Sequence, residues 1–197
     1  MTVSSMRSSA SVPADPGRWL RLALLLLCLV AGGPARAEGI SLTSVSLQPG
    51  EEGYELNAGF EIQFSPALLE ALNRGLPLYF ITEFELTRGR WYWLDEVIVR
   101  QEIQYRLSYN ALTRQYRLAS GALHQNFDTL QEAAGLLSNI RGRVVADQSA
   151  LKKGEEYSAG VRLRLDTSQL PTPFQVNALT SREWNLSSGW MRWKVAP

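Results

Sequence analysis

Between Tyr54 and Phe64 the chain alternates strictly. Tyr54, Leu56, Ala58, Phe60, Ile62 and Phe64 take every second position, while Glu55, Asn57, Gly59, Glu61 and Gln63 fill the gaps. Side chains of a strand point alternately to opposite faces, so this pattern demands one buried face and one wet face. The same period returns along most of the chain, which points to a sheet protein. The Ser- and Thr-rich stretch Ile40 to Leu47 and the turn Gln48 to Gly53 complete a hairpin with this strand.

The period changes twice. Ser65 can cap a helix, Pro66 suits its first position, Leu68, Leu69 and Leu72 follow at helical spacing, and Gly75 is a natural stop. Asp128 with Gln131 resembles a capping box, followed by the stripe Leu130, Ala133, Ala134, Leu137 and Ile140. Strands are expected elsewhere: from Leu78, through Gln115 to Ser120, up to Phe127, and near Gly142 to Asp147 and Glu156 to Asp166. The odd positions Trp91, Trp93, Asp95, Val97, Val99, Gln101, Ile103, Tyr105, Leu107 and Tyr109 also share a face. Strands usually run to about 5–6 residues, so a break or bulge is expected near Arg100 to Glu102. Pro171 and Pro173 forbid a central strand locally. Phe174 to Thr180 and Glu183 to Val195 bring the expected total to about nine strands. The expected fold is a mainly β, antiparallel β-sandwich, immunoglobulin-like or related, with two short helices; a small β-barrel is the alternative.

The first 37 residues read as a secretory signal rather than as part of that fold. Arg7, Arg18 and Arg21 make a positive start, Leu22 to Val30 a short apolar run, and Ala35-Arg36-Ala37 a small-residue cleavage site before Glu38. A spanning helix needs about 20 apolar residues, and Gly32, Gly33 and Pro34 interrupt this run well short of that. An uncleaved anchor or lipid attachment at Cys28 are the alternatives, the second disfavoured by the bulky Leu27 before the cysteine. The expected organisation is thus a signal peptide, 1–37, and a single β-rich domain, 38–197, in the periplasm.

Charge must be recounted after the cut. The whole chain carries 20 basic and 19 acidic residues, for a net charge of +1. Losing Arg7, Arg18, Arg21, Arg36 and Asp15 leaves 16 basic against 18 acidic residues, or −2. That balance offers no basic excess for phosphates and disfavours nucleic acid. Cys28 is the only cysteine, so the remaining domain has neither disulfide nor thiolate metal site. No cofactor is expected.

Few residues remain to carry chemistry. His124 is the only histidine, lies in a short strand, and has no companions at ligand spacing. No G-x-S-x-G element motivates a serine nucleophile. Asp95 and Glu96 would point to opposite faces of a strand, so they cannot form a facing acid–base pair. Asp95 would instead share a face with Trp91 and Trp93 and could accept from an indole or pair with an arginine. Aromatics joined to arginine recur at Arg90-Trp91-Tyr92-Trp93 and Trp190-Met191-Arg192-Trp193-Lys194. Such clusters suit sugar stacking, partner binding or a membrane surface, or they fill a core with arginines laid over them.

Five blocks carry a family resemblance: FSPALLEALNRGLPLYF from Phe64, RGRWYWLDE from Arg88, YRLSYNALTRQYRL from Tyr105, LDTSQLPTPFQVNAL from Leu165 and WNLSSGWMRWKV from Trp184. In this order they resemble the proteobacterial exported family called domain of unknown function 4390. The resemblance implies a signal peptide and one domain, with no established activity, cofactor or catalytic residue. The family is also associated with gene neighbourhoods containing a nitrogen-regulation type sensor kinase, so the resemblance suggests an envelope signalling partner. Arg90, Trp91, Trp93, Asp95, Tyr109, Tyr116, Trp184 and Trp190 are its signature positions.

The leading expectation is a non-enzymatic binding or interaction module of the cell envelope. It would touch the membrane only through an uncleaved signal or peripheral contact. A carrier of small apolar ligands or lipids would need a cavity. A cell-wall sugar hydrolase would rest on Asp95 beside the tryptophans.

Overall fold

A computed structural model of the chain describes residues 39–90 and 95–195. Its first hairpin follows the alternation. Strands β1 (Gly39–Pro49) and β2 (Tyr54–Gln63) pair antiparallel with Leu47 opposite Leu56, and Leu56, Ala58 and Phe60 are buried. The Gly50 N–H donates to Gly53 O at 2.7 Å to close the turn. Gly53 has φ +153°, and a Cβ there would stand 2.3 Å from the Ala146 carbonyl oxygen, so only glycine fits.

Helix α1 (Pro66–Asn73) starts and stops as its sequence dictates. Ser65 Oγ accepts from the Leu68 N–H at 3.3 Å, while its own hydroxyl donates to Glu183 O at 2.9 Å. The Gly75 N–H then donates to Leu72 O and the Leu76 N–H to Ala71 O, with Gly75 at φ +88°. Too short to stand alone, the helix buries Leu68, Ala71 and Leu72 in the core.

The larger sheet forms around β3 (Leu78–Arg88), which pairs antiparallel with β4 (Glu96–Asn110) on one side and β8 (Tyr157–Leu165) on the other. Strands β5 (Gln115–Ser120) and β6 (Leu123–Phe127) extend it beyond β4, and β9 (Met191–Val195) beyond β8. The order is β6-β5-β4-β3-β8-β9, and a separate sheet of three runs β1-β2-β7, with β7 spanning Asn139–Ala146. The six-stranded sheet keeps β6 and β9 as edges, so the barrel alternative falls and the arrangement is sandwich-like. One core joins Leu56 and Phe60 of the small sheet, Phe80, Phe84, Leu107 and Val161 of the large one, and Leu68, Leu72 and Leu137 of the helices.

Several expectations require correction. No break occurs near Arg100 to Glu102; the irregularity falls where Leu86 and Thr87 face Val99 and Val97, so Ile98 is the extra residue. Helix α2 (Leu130–Ser138) is capped one residue later than expected: Thr129 Oγ1 accepts from the Glu132 N–H at 3.3 Å. Phe174 to Thr180 is not a strand. It lies in a third helix, α3 (Thr172–Thr180), because Pro171 offers its carbonyl to the N–H groups of Phe174 and Gln175 and Pro173 fits the first turn. The Gln175 side chain reinforces this start by donating to Ser168 O and Leu170 O. The last strand is shorter than Glu183 to Val195, since 182–184 forms a 3-10 turn and Gly189 turns the chain at φ +67° before β9.

Candidate functional site

The face of the six-stranded sheet turned away from the core is lined with charged side chains. Alternation sends Phe80, Thr82, Phe84 and Leu86 of β3 inward and leaves Glu83 and Glu85 on the other side. Both glutamates are nonetheless almost buried, at 7% and 9% exposure, because side chains from three neighbouring strands cover them. Pairing sets which ones. Glu83 lies beside Arg162 of β8 and Glu102 of β4, and Glu85 beside Gly160 and Arg100.

Four arginines hold these two carboxylates. Arg162 Nε donates to Glu83 Oε2, and Arg164 Nε donates to Glu83 Oε1 at 3.2 Å. Arg100 donates twice to Glu85 Oε1, at 2.9 and 2.6 Å, and Arg192 Nη2 reaches Glu85 Oε2 at 3.5 Å. Arg164 also lies 3.7 Å from Asp166. Burial pushes the Glu83 carboxyl up, but hydrogen bonding to Arg162 and the charges of Arg164 and Arg162 outweigh it and hold it below the usual carboxylate range. Glu83 is therefore ionised at neutral pH and has no proton to give.

Trp190 completes the surface. Its ring lies over Gly160, where a Cβ would come within 3.3 Å of Cε3. The Arg162 and Arg192 guanidinium carbons stand 4.7 and 5.3 Å from the ring centroid. A depression of about 210 Å³ opens among Glu83, Glu85, Arg100, Glu102, Arg162 and Trp190. Glu102 at its rim is exposed and makes no ion pair among the described residues. Each arginine retains N–H donors beyond those it spends on glutamate, and Arg100 and Arg192 are more than half exposed.

A second charged cluster clasps the turn end of the β3–β4 hairpin. Arg88 donates to Glu155 at 2.9 Å and to Glu96 at 2.5 Å, Arg90 also pairs with Glu96, and the Tyr157 hydroxyl donates to Glu155 at 2.7 Å. Hydrogen bonds from Arg88 and Arg90 lower the Glu96 carboxyl, and those from Tyr157 and Arg88 lower that of Glu155. Burial and the Glu155 bond raise the Tyr157 hydroxyl, which in turn accepts from the Lys152 N–H at 3.0 Å.

The signature positions do not converge on one site. Arg90 belongs to the hairpin clasp. Trp91 and Trp93 lie outside the described residues. Asp95 is exposed just before β4, and it is the next residue, Glu96, that takes the arginines. Tyr109 and Tyr116 are cross-strand partners with ring centroids 4.9 Å apart, and the Tyr116 hydroxyl donates to Asn73 at 3.1 Å. Trp184 is core, 5.5 Å from Phe174, whereas Trp190 is on the charged face. His124 sits exposed on β6, and no group of three metal-ligating side chains occurs among the described residues.

Sequence reasoning singled out Trp190 but missed Glu83, Glu85, Arg100, Arg162 and Arg164. The signal was present: Glu83 and Glu85 two apart on one strand and Arg162 and Arg164 two apart on another are opposite charges on faces that pairing can join.

These features define an antiparallel two-sheet protein whose large sheet carries an arginine-rich, tryptophan-centred outer face. Over residues 37–194 the chain matches the family described as "Domain of unknown function (DUF4390)", and it belongs to that family. No curated protein and no solved structure matches it.

Proposed function

We propose that the chain is an exported, non-enzymatic binding module of the cell envelope that engages a protein partner through the outer face of its six-stranded sheet. The observation that carries this reading is Trp190, partly exposed, laid on Gly160 with the Arg162 and Arg192 guanidiniums close to its ring. Protein interfaces are enriched in tryptophan and arginine, and anchors of this kind supply most of their binding energy. The glutamates beneath neutralise part of the arginine charge and fix the guanidinium planes, so the remaining donors are already oriented toward an acidic or carbonyl-rich partner. Export is supported by the basic, apolar and Ala35-Arg36-Ala37 segments, and by a compact unit and family match that begin beside that site. The sensor kinase implied by the family resemblance is the first partner to try.

A photo-crosslinking residue placed at Arg100 or at the exposed Lys153 of the full chain tests this in living cells. The expected result is a specific protein adduct from position 100 and none from 153, lost when Trp190→Ala is added. Equal capture from both positions, or an adduct indifferent to Trp190→Ala, overturns the reading.

A further inference from the structure

The sandwich is open along one side. There the free edge of the large sheet, β6, and the free edge of the small one, β7, line a single groove of about 450 Å³. Ile103, Tyr105 and Leu118 continue the core face of the large sheet into it, and Leu136 and Ile140 line it from α2 and β7. Its size is within the range of about 300–1,000 Å³ typical of ligand sites. Leu123 of β6 is 80% exposed at this groove and Leu136 47%.

We propose that this groove receives an extended segment of a partner protein, apolar at alternate residues and acidic beside them, which adds to β6 as a seventh strand. The first ground is the edge itself. Edge strands are usually blunted by lysine, proline or a bulge, and β6 (Leu123–Phe127) has none of these and pairs with β5 in unbroken register. Among the described residues no strand pairs with the outer side of β6, so one row of its backbone donors and acceptors is open to pairing, as in strand-addition complexes. An added strand would direct every second side chain toward Leu118, Leu136 and Ile140.

Charge selects the occupant. Arg141 and Arg143 of β7 line the groove, and neither makes an ion pair with a described residue. The Arg143 charge reaches the Tyr105 hydroxyl, opposing the upward push that burial gives it. Two unpaired guanidiniums beside an apolar floor favour carboxylates flanking apolar residues over a neutral or basic segment. The site lies at the opposite end of the large sheet from Trp190, whose neighbours belong to β8 and β9, so it stands apart from the outer face.

The test uses the full chain purified from cells and a set of short synthetic peptides with Val or Ile at alternate positions and Asp between and beside them. Fluorescence anisotropy should show binding that Arg143→Glu and Leu123→Asp each weaken about ten-fold or more. Methylating the peptide amides along one edge should abolish it, and hydrogen exchange at β6 amides should slow on binding. Failure of the whole set to bind overturns the proposal. So does undiminished binding of the methylated peptides, which with displacement by laurate would mark the groove as an amphiphile site instead.

Discussion

The two glutamates of β3 illustrate how one residue's surroundings decide its chemistry. Glu83 is a carboxylate in the middle of a sheet, and such a group persists only where charge and hydrogen bonds replace lost water. Glu83→Gln should lower stability by about 2 kcal/mol, because Arg162 and Arg164 lose their shared anion. The pH dependence has a definite sign. The folded state holds the Glu83 carboxyl below its ordinary value of 4.5, so its stabilising effect is full above that value and disappears as pH falls through the folded one. Urea titrations should therefore show the wild type losing stability on acidification more steeply than Glu83→Gln, and parallel curves would refute this. Thr82, one position earlier, points the other way. Its Oγ1 is buried without a partner among the described residues, so Thr82→Val should raise the urea midpoint, gaining about 1 kcal/mol.

At the scale of the element, stops and starts were readable where one side chain performs one local task. Ser65 and Pro66 announce α1 because the cap and the first helical position are satisfied within three residues. Ser65→Ala should cost about 1–2 kcal/mol, since it removes both the cap to Leu68 and the bond to Glu183; a loss confined to a few tenths, measured by thermal unfolding, would show that water replaces them. Helix α3 was illegible for the converse reason. Phe174, Val176 and Ala178 follow the strand period, and the decision comes from Pro171 and from Gln175 reaching back to Ser168 and Leu170, contacts that alternation does not encode. The outer-face site was half legible in the same way. Trp190 stood out as an aromatic beside arginine, but the company it keeps depends on β8 pairing with both β3 and β9, elements far apart in the chain.

For the whole molecule, the reading of residues 1–37 as a removable signal makes the most direct prediction. Protein recovered from outside the inner membrane should begin at Glu38 by N-terminal sequencing, and an intact N-terminus there would instead favour an uncleaved anchor. The sheet order has a further consequence, for the sequence of events in folding. Strand β3 sits at the centre, yet its partner β8 lies some 70 residues further on, and β9, which carries Arg192, is made only after β8. Pairings between distant segments form slowly, because the intervening loop must close before they repay its entropy. Until β9 emerges, β8 is an unsatisfied template open to pairing with other chains. A premature stop before β9 would thus do more than shorten the chain: it would leave behind a sticky, aggregation-prone product.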